Sequence, residues 1–309
     1  MNECATNFHT KHFVELAKFM AKKYNLKVKV LDAKKILKEG LNLIHAVGNG
    51  SKYPPYLVIL EYLGDPASED KFVVVGKGVT FDTGGLNLKP SKHIQGMHQD
   101  MAGAATVIGI MKSLSELNIK KNVIGVIPTV ENMIGPDAYK PNDIIKAYNG
   151  QSVEIGNTDA EGRLILADAI SYAIEKYSPK LVIDLATLTG AIIYALGHTV
   201  CGMFSNSREY SEKMFSAGQK TFERVWELPT YEDYMENLKS EFADIKNVGP
   251  SGVAGAINGA MFLKSFVGNT PWIHLDIAGV AFLEKDDGYL PVGGTGFGVR
   301  LVIEFLKNA

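Results

Sequence analysis

Asn157-Thr158-Asp159-Ala160-Glu161-Gly162-Arg163-Leu164 joins a strand-like run, residues 152–155, to a helix-like one, residues 164–177. Two carboxylates and a guanidinium fall within five positions at that seam. One reading is local. Thr158 and Glu161 match the S/T-x-x-E capping box, in which hydroxyl and carboxylate satisfy orphan backbone donors at a helix start. The other is chemical: Asp159 and Glu161 leave the turn in one direction as oxygen ligands for hard divalent cations, at the carboxyl end of a strand. These eight residues alone do not choose between them.

Upstream, Phe13, Leu16, Ala17 and Met20 recur at i, i+3, i+4, i+7, which predicts a helix with one buried stripe. Residues 28–31 read as a short strand and 33–40 as a helix ended by Gly40. Residues 56–62 and 72–75 are β-branched and aromatic runs, hence strands, with a turn at 64–71. Gly76-Lys77-Gly78-Val79-Thr80-Phe81-Asp82-Thr83-Gly84-Gly85 follows, then Lys89-Pro90, then Asp100-Met101-Ala102-Gly103-Ala104-Ala105 opening a small-residue helix to about residue 117. Residues 123–130, 181–186 and 272–277 read as strands, and 299–306 as a terminal helix. Asn149-Gly150, between 144–148 and 152–155, signals a hairpin that would make the sheet mixed.

Strands alternating with helices of this length predict an α/β fold: three αβα layers around a central mixed, mostly parallel sheet. No Pro/Ser-rich linker or repeat divides residues 1–309, so a single domain is expected. Lys77 and Asp82 follow one strand, Asp159 and Glu161 another, and Thr187-Leu188-Thr189-Gly190 a third. In such sheets ligand crevices open at the carboxyl ends of strands, so the three exits are expected to converge.

The net charge of −2 and pI near 6.4 give no nucleic-acid footprint or membrane-surface patch. The two cysteines, Cys4 and Cys201, form no disulfide framework, which suggests a reducing cytosol. Residues 1–12 lack the apolar core of a signal peptide, and the apolar stretch 181–196 is broken by Asp184, two threonines and Gly190, as a buried strand and turn would be.

There is no HExxH, paired CxxC, GxSxG elbow or GxxxxGK[ST] loop. Gly293-Gly294-Thr295-Gly296-Phe297-Gly298 lacks the strand–turn–helix context of a dinucleotide site. The seven histidines show no ligand spacing, and His274 reads as a hydrogen-bonded core residue. Any catalytic metal must therefore rest mainly on oxygen, and the candidates are Asp82, Asp100, Asp159 and Glu161. Taken singly they read as turn and cap residues, with Lys77 and Lys89 as solvated charges. Gathered in one crevice, each like-charged pair at ~4 Å costs about 4 kcal/mol at an effective dielectric of 20. Two divalent cations would balance four carboxylates, which is the arithmetic of a two-metal hydrolytic site.

Gly76-Lys77-Gly78, Phe81-Asp82-Thr83-Gly84-Gly85, Lys89-Pro90, Asp100-Met101 with Gly103-Ala104-Ala105, and above all residues 157–164 resemble the leucyl (cytosol) aminopeptidase family, the M17 metallopeptidases. Residues 186–191 and 274–279 extend the likeness, which runs from about Phe13 onward. The resemblance implies one cation on Lys77, Asp82, Asp100 and Glu161, and a second on Asp82, Asp159 (side chain and carbonyl) and Glu161. Zinc or manganese is implied, with magnesium or cobalt as alternatives. A ligating Lys77 must be neutral, which requires its pKa to fall beside the cations. Lys89 would stabilise the oxyanion and Arg163 would hold a bicarbonate that accepts the proton of the attacking water. The substrate, a peptide with a free N-terminus, would offer its α-amine to a metal. Met97, Thr187, Leu188, Gly190, Ala278 and Ala281 match the walls of the pocket for its first side chain, leucine-like or otherwise apolar, although each also reads as plain core packing. Ala281 is small where some relatives carry a bulkier residue, so leucine is not required as the best substrate.

Family members usually carry a separate N-terminal domain, and this chain begins almost where the catalytic part begins, so that domain is expected to be absent. A cytoplasmic homo-oligomer is implied, a hexamer by resemblance. Alternatives are a non-catalytic DNA-binding or scaffold member of the same family, which the charge and the surviving site residues disfavour, and a two-metal phosphate esterase, which the carboxylates alone would permit.

Overall fold

Alternation along the strands sets the layers. A computed structural model describes residues 1–309. In β3 (Lys71–Gly76), Phe72 and Val74 join one apolar cluster while Val73 and Val75 join another, so the strand is buried on both faces. The same holds for the strands on either side of it. In chain order the strands are β1 (Lys27–Leu31), β2 (Tyr56–Leu63), β3, β4 (Gly78–Asp82) and β5 (Asn122–Asn132), then the short β6 (Ile144–Lys146) and β7 (Ser152–Glu154). They are followed by β8 (Leu181–Ala186), β9 (Cys201–Ser205), β10 (Val225–Glu227), β11 (Ile245–Lys246) and β12 (Trp272–Asp276). Nine of them form one sheet in the order β1-β2-β5-β3-β8-β12-β9-β10, with β4 also paired to β5.

The helices are α1 (Thr10–Lys23), α2 (Ala33–Glu39), α3 (Asn42–Gly48), α4 (Ser91–Ile94), α5 (Ala102–Glu116), α6 (Glu161–Tyr177), α7 (Gly190–Leu196), α8 (Arg208–Thr221), α9 (Gly255–Lys264) and α10 (Val299–Asn308). Helices α1, α5, α8 and α10 pack on one face of the sheet, and α2, α3, α6, α7 and α9 on the other. The expected three αβα layers are there. Gly40, at φ +82°, ends α2 in the left-handed conformation that favours glycine.

The sheet is mixed, but the hairpin is not the cause. Strands β6 and β7 form a separate three-stranded sheet with β11. Ile144 and Lys146 are exposed, so this short polar hairpin could not sit in a sheet covered on both faces. The mixing comes from β2, antiparallel to both β1 and β5, and from β9, antiparallel to β12. Between them β5, β3, β8 and β12 run parallel. Their carboxyl ends therefore share one edge, which receives Lys77, Asn132, Thr187 and Asp276. Strand β4 continues the ladder along β5 and ends there at Asp82.

Candidate metal centre

Lys77 leaves β3 into a crowded gap. Its N–H donates to the Leu185 carbonyl at 3.0 Å and its carbonyl accepts from Ala104 at 2.9 Å, which fixes the backbone between β8 and α5. Gly103 permits that closeness, because a Cβ there would lie 2.0 Å from the Leu185 oxygen. The buried Lys77 Nζ meets Asp100 Oδ1 at 2.8 Å, Glu161 Oε1 at 2.8 Å and the Thr187 carbonyl at 2.9 Å. Glycine at 162 leaves it room, since a Cβ would stand 2.7 Å from Lys77 Cε.

Lys89 closes the other half. Its Nζ lies 2.9 Å from Asp82 Oδ2 and also contacts Asp159 Oδ1. The remaining oxygen of Asp82 accepts from Gly84 N at 2.8 Å and Asn132 Nδ2 at 2.9 Å. Carboxylate oxygens of Asp82, Asp159 and Glu161 lie within 4.8 Å of one another. Asp100 Oδ1 accepts from Thr187 Oγ1 at 2.7 Å, while its buried Oδ2 has no partner.

The capping box does not form. The residue preceding α6 is Ala160, with no side-chain cap, and Glu161 turns to Lys77 instead. Thr158 Oγ1 donates to the Gly84 carbonyl at 2.6 Å and accepts from Asn87 N at 2.8 Å, tying the motif to the loop after Asp82.

The electrostatics follow from crowding. Burial, then Glu161 and Asp82, push the Asp159 carboxyl up to about 7. Burial also raises Asp100, against the pull of Lys77. For both lysines burial favours the neutral form, but the carboxylates outweigh it and hold each ammonium above its ordinary value. Arg163 is buried, and that burial brings its guanidinium down to about 10. Its Nη1 donates to the Asn247 carbonyl at 2.7 Å, and its Nε is buried without a partner.

Asp276 gathers several of the pocket candidates. It accepts from the N–H groups of Leu188 at 3.1 Å and Ala278 at 3.2 Å, and from Thr189 Oγ1 at 2.7 Å. Thr189 caps α7, where Gly190 is exposed and a Cβ would meet nothing within 4 Å. Met97 lies on the turn before Asp100, and the ring of its neighbour His98 meets Phe282 edge-on at 5.9 Å, beside Ala281. Ala281 itself is packed in the core on the α5 and α10 side. A separate cavity of about 960 Å³ is lined by Phe81, His98 and Glu131 among others, and by none of the four carboxylates.

The catalytic-domain profile of the cytosol aminopeptidase family matches residues 1–303. The chain belongs to that family. It is 50% identical over 282 residues to a "Probable cytosol aminopeptidase" of Cenarchaeum symbiosum, covering 90% of this chain and 58% of the relative. With the protein of the same name from Geotalea uraniireducens it shares 46% over 298 residues, 96% of this chain and 60% of that one. Among solved structures it superposes on the bottromycin maturation enzyme BotP with a TM-score of 0.92 at 36% identity, over 99% of this chain and 66% of BotP. The chain thus spans somewhat under two thirds of the length of the relatives it matches.

Within this cytosol aminopeptidase domain, three supporting residues escaped the sequence reading, Asn132, Tyr139 and Asn247, whereas Asp276 lies in the 274–279 stretch that extends the likeness. Asn132, Tyr139 and Asn247 are buried and make their contacts across the chain, with no motif around them. The weak signal available was a polar side chain beside apolar strand residues, as in Val130-Glu131-Asn132. His274 is the hydrogen-bonded core residue expected, with Nδ1 2.6 Å from Asp184 Oδ1.

Proposed function

We propose that this chain carries the active site of a two-metal aminopeptidase that releases N-terminal residues, leucine-like and other apolar ones among them, from peptides. The observation that carries the reading is the charge of the cluster. Four carboxylates (Asp82, Asp100, Asp159, Glu161) face two ammonium groups (Lys77, Lys89), and the crowding pushes the Asp100 and Asp159 carboxyls up, so that full ionisation leaves negative charge in surplus for added cations to offset. Hard cations suit such oxygen donors. The unpartnered Asp100 Oδ2 supplies open ligand capacity, and the raised Asp159 reports the crowding that a cation would relieve. Lys77, Asp82, Asp100 and Glu161 would hold one ion, and Asp82, Asp159 and Glu161 the other.

When bound, two divalent cations, zinc or manganese foremost, supply a water acidic enough to attack a carbonyl at neutral pH. The residues of the chain do the rest. Lys89 keeps its ammonium despite burial, so it can donate to an oxyanion forming at the scissile carbonyl. Arg163 fits a small anion such as bicarbonate, a proton acceptor, because a buried guanidinium with a free Nε is short of acceptors. The segments around Met97, Thr187–Gly190 and Ala278–Ala281 would receive the first side chain of a peptide with a free N-terminus. By resemblance the working protein is a cytoplasmic hexamer.

The test is hydrolysis of an aminoacyl amide, beside its N-acetylated form and a phosphate ester, before and after exhaustive chelation. Loss on chelation, recovery with zinc, manganese, cobalt or magnesium, and no turnover of either control are expected. Full activity after metal removal overturns the reading. Lys89→Ala should keep its metal yet lower kcat by about 100-fold or more.

A further inference from the structure

Asn247 directly follows β11, on a segment where the sequence shows no motif, and it is fully buried. All of its polar groups are spent on residues 154–163. Its Oδ1 accepts from the N–H groups of Gly156 at 2.7 Å and Asn157 at 3.3 Å. Its Nδ2 donates to the carbonyls of Asn157 at 2.8 Å and Ala160 at 3.4 Å. Its own N–H donates to the Glu154 carbonyl at 3.0 Å, and its own carbonyl takes the Arg163 guanidinium at 2.7 Å.

The other side of the same loop is held as closely. Asn132 Nδ2 bridges Asp82 Oδ1 at 2.9 Å and the Thr158 carbonyl at 3.0 Å, and Tyr139 Oη donates to that carbonyl at 2.6 Å. The carbonyls of residues 157, 158 and 160 are thus each engaged by an amide or a phenol from elsewhere. The Asp159 carbonyl accepts no hydrogen bond.

We infer that Asn247, with Asn132 and Tyr139, is a clamp that positions the 156–160 loop, so that Asp159 and Arg163 are aimed before any ligand arrives. Asn247 touches no reacting atom and acts as a positioning residue. Only a neutral amide does this work, because the loop asks it for two acceptances and two donations at one point. A carboxylate there would face two carbonyl oxygens and add charge to a cluster already in surplus. The inference deepens the aminopeptidase reading: its kinetic arm rests on the activity, and its calorimetric arm on the metal centre alone.

The test compares Asn247→Asp, nearly the same shape without the donors, and the milder Tyr139→Phe with the wild type in the full chain. Manganese affinity is measured by calorimetry and kcat per folded, manganese-loaded site in parallel. The expected result is manganese affinity and kcat each lowered about 10- to 100-fold in Asn247→Asp, with KM within about threefold, and a smaller loss of the same kind in Tyr139→Phe. Leu306→Ala, in the core of α10, is the control. It should lower Tm through its cavity while leaving kcat per loaded site unchanged. Wild-type manganese affinity and kcat in folded Asn247→Asp overturn the inference. Should Asn247→Asp fail to fold, unchanged values in Tyr139→Phe and Asn132→Asp do the same. A wild type without metal-restored hydrolysis sinks the aminopeptidase reading, and the calorimetry still decides the clamp.

Discussion

Asp184, fully buried, and Asp159, partly buried, are both acids near one edge of the sheet, and their surroundings answer them differently. Asp184 on β8 stands opposite His274 on β12 in the ladder. Its two oxygens take one donor each, His274 Nδ1 at 2.6 Å and Trp272 Nε1 at 2.7 Å. That assembly is matched in charge, one acid to one base, with aromatic rings stacked against the imidazole and only its Nε2 left without a partner. Asp159 shares its crevice with three more carboxylates and only two ammonium groups. Buried charge that is matched serves as an internal brace, and buried charge in surplus is kept for something that arrives from outside.

One substitution made in both places should break the comparison if it is wrong. Asp159→Asn removes a proposed ligand, and kcat/KM for an aminoacyl amide should fall about 10³-fold or more at saturating metal. The metal-free variant should be no less stable than the wild type at pH 8, because a repelled charge has gone. Wild-type kcat/KM in this variant would show that Asp159 holds no essential cation. Asp184→Asn should do the reverse. Denaturant unfolding should report a loss of about 3–5 kcal/mol, the cost of breaking a buried pair from one side. Metal stoichiometry should stay at the wild-type value, and a loss of metal there would dissolve the distinction.

The open assembly was readable in the sequence as a set of motifs, with the roles of its residues implied by resemblance, whereas of the matched pair only His274 was read as a hydrogen-bonded core residue, for a physical reason. Lys77, Asp82, Asp100, Asp159 and Glu161 lie in short runs whose glycines and charges look out of place in strands and helices, and the parallel strand order delivers them to one edge. Asp184, like Asn132 and Asn247, is a single polar residue in an apolar or irregular run. Its meaning depends on a partner 90 positions away. Local patterns also misled where a tertiary partner won. Thr158 and Glu161 spell a capping box, yet Gly84 and Lys77 take them. The Asn149-Gly150 hairpin formed as expected, but its exposed flanks placed it outside the main sheet.

The surplus charge also has a sign in pH. In the metal-free fold Asp159 titrates at about 7, above the ordinary aspartate value near 4. The folded chain therefore holds that proton more tightly than the unfolded one. Its contribution to stability is fully present below about pH 4 and is lost as pH rises through 7. The complete difference corresponds to about 4 kcal/mol at 1.36 kcal/mol per unit, and solvent screening of a side chain 32% exposed reduces it to roughly 2 kcal/mol. Urea unfolding of chelated protein between pH 5 and 8 should show that decline. Asp159→Asn should flatten it, and an equally steep profile in the variant would assign the decline to another group.

The smallest effect belongs to Thr187→Val. The Thr187 hydroxyl donates to the Asp100 oxygen that Lys77 also contacts, at 2.7 and 2.8 Å. Valine keeps the shape and deletes the donor. A charge-assisted hydrogen bond in burial contributes about 1.5–3 kcal/mol, but Lys77 remains and a cation would claim the same oxygen, so the net loss should be near 1 kcal/mol. That is about fivefold in affinity for whichever ion Asp100 holds, with kcat within about threefold. Because Asp100 is proposed for one ion and Asp82 and Glu161 for both, a calorimetric titration should show only one of two binding events weakened. If both events moved together, the carboxylates would be acting as one undivided charge and the two-site assignment would fail. If neither moved, Asp100 would be held by Lys77 alone, and the free oxygen on its far side would be a feature of the fold, as the Asp184 pair is.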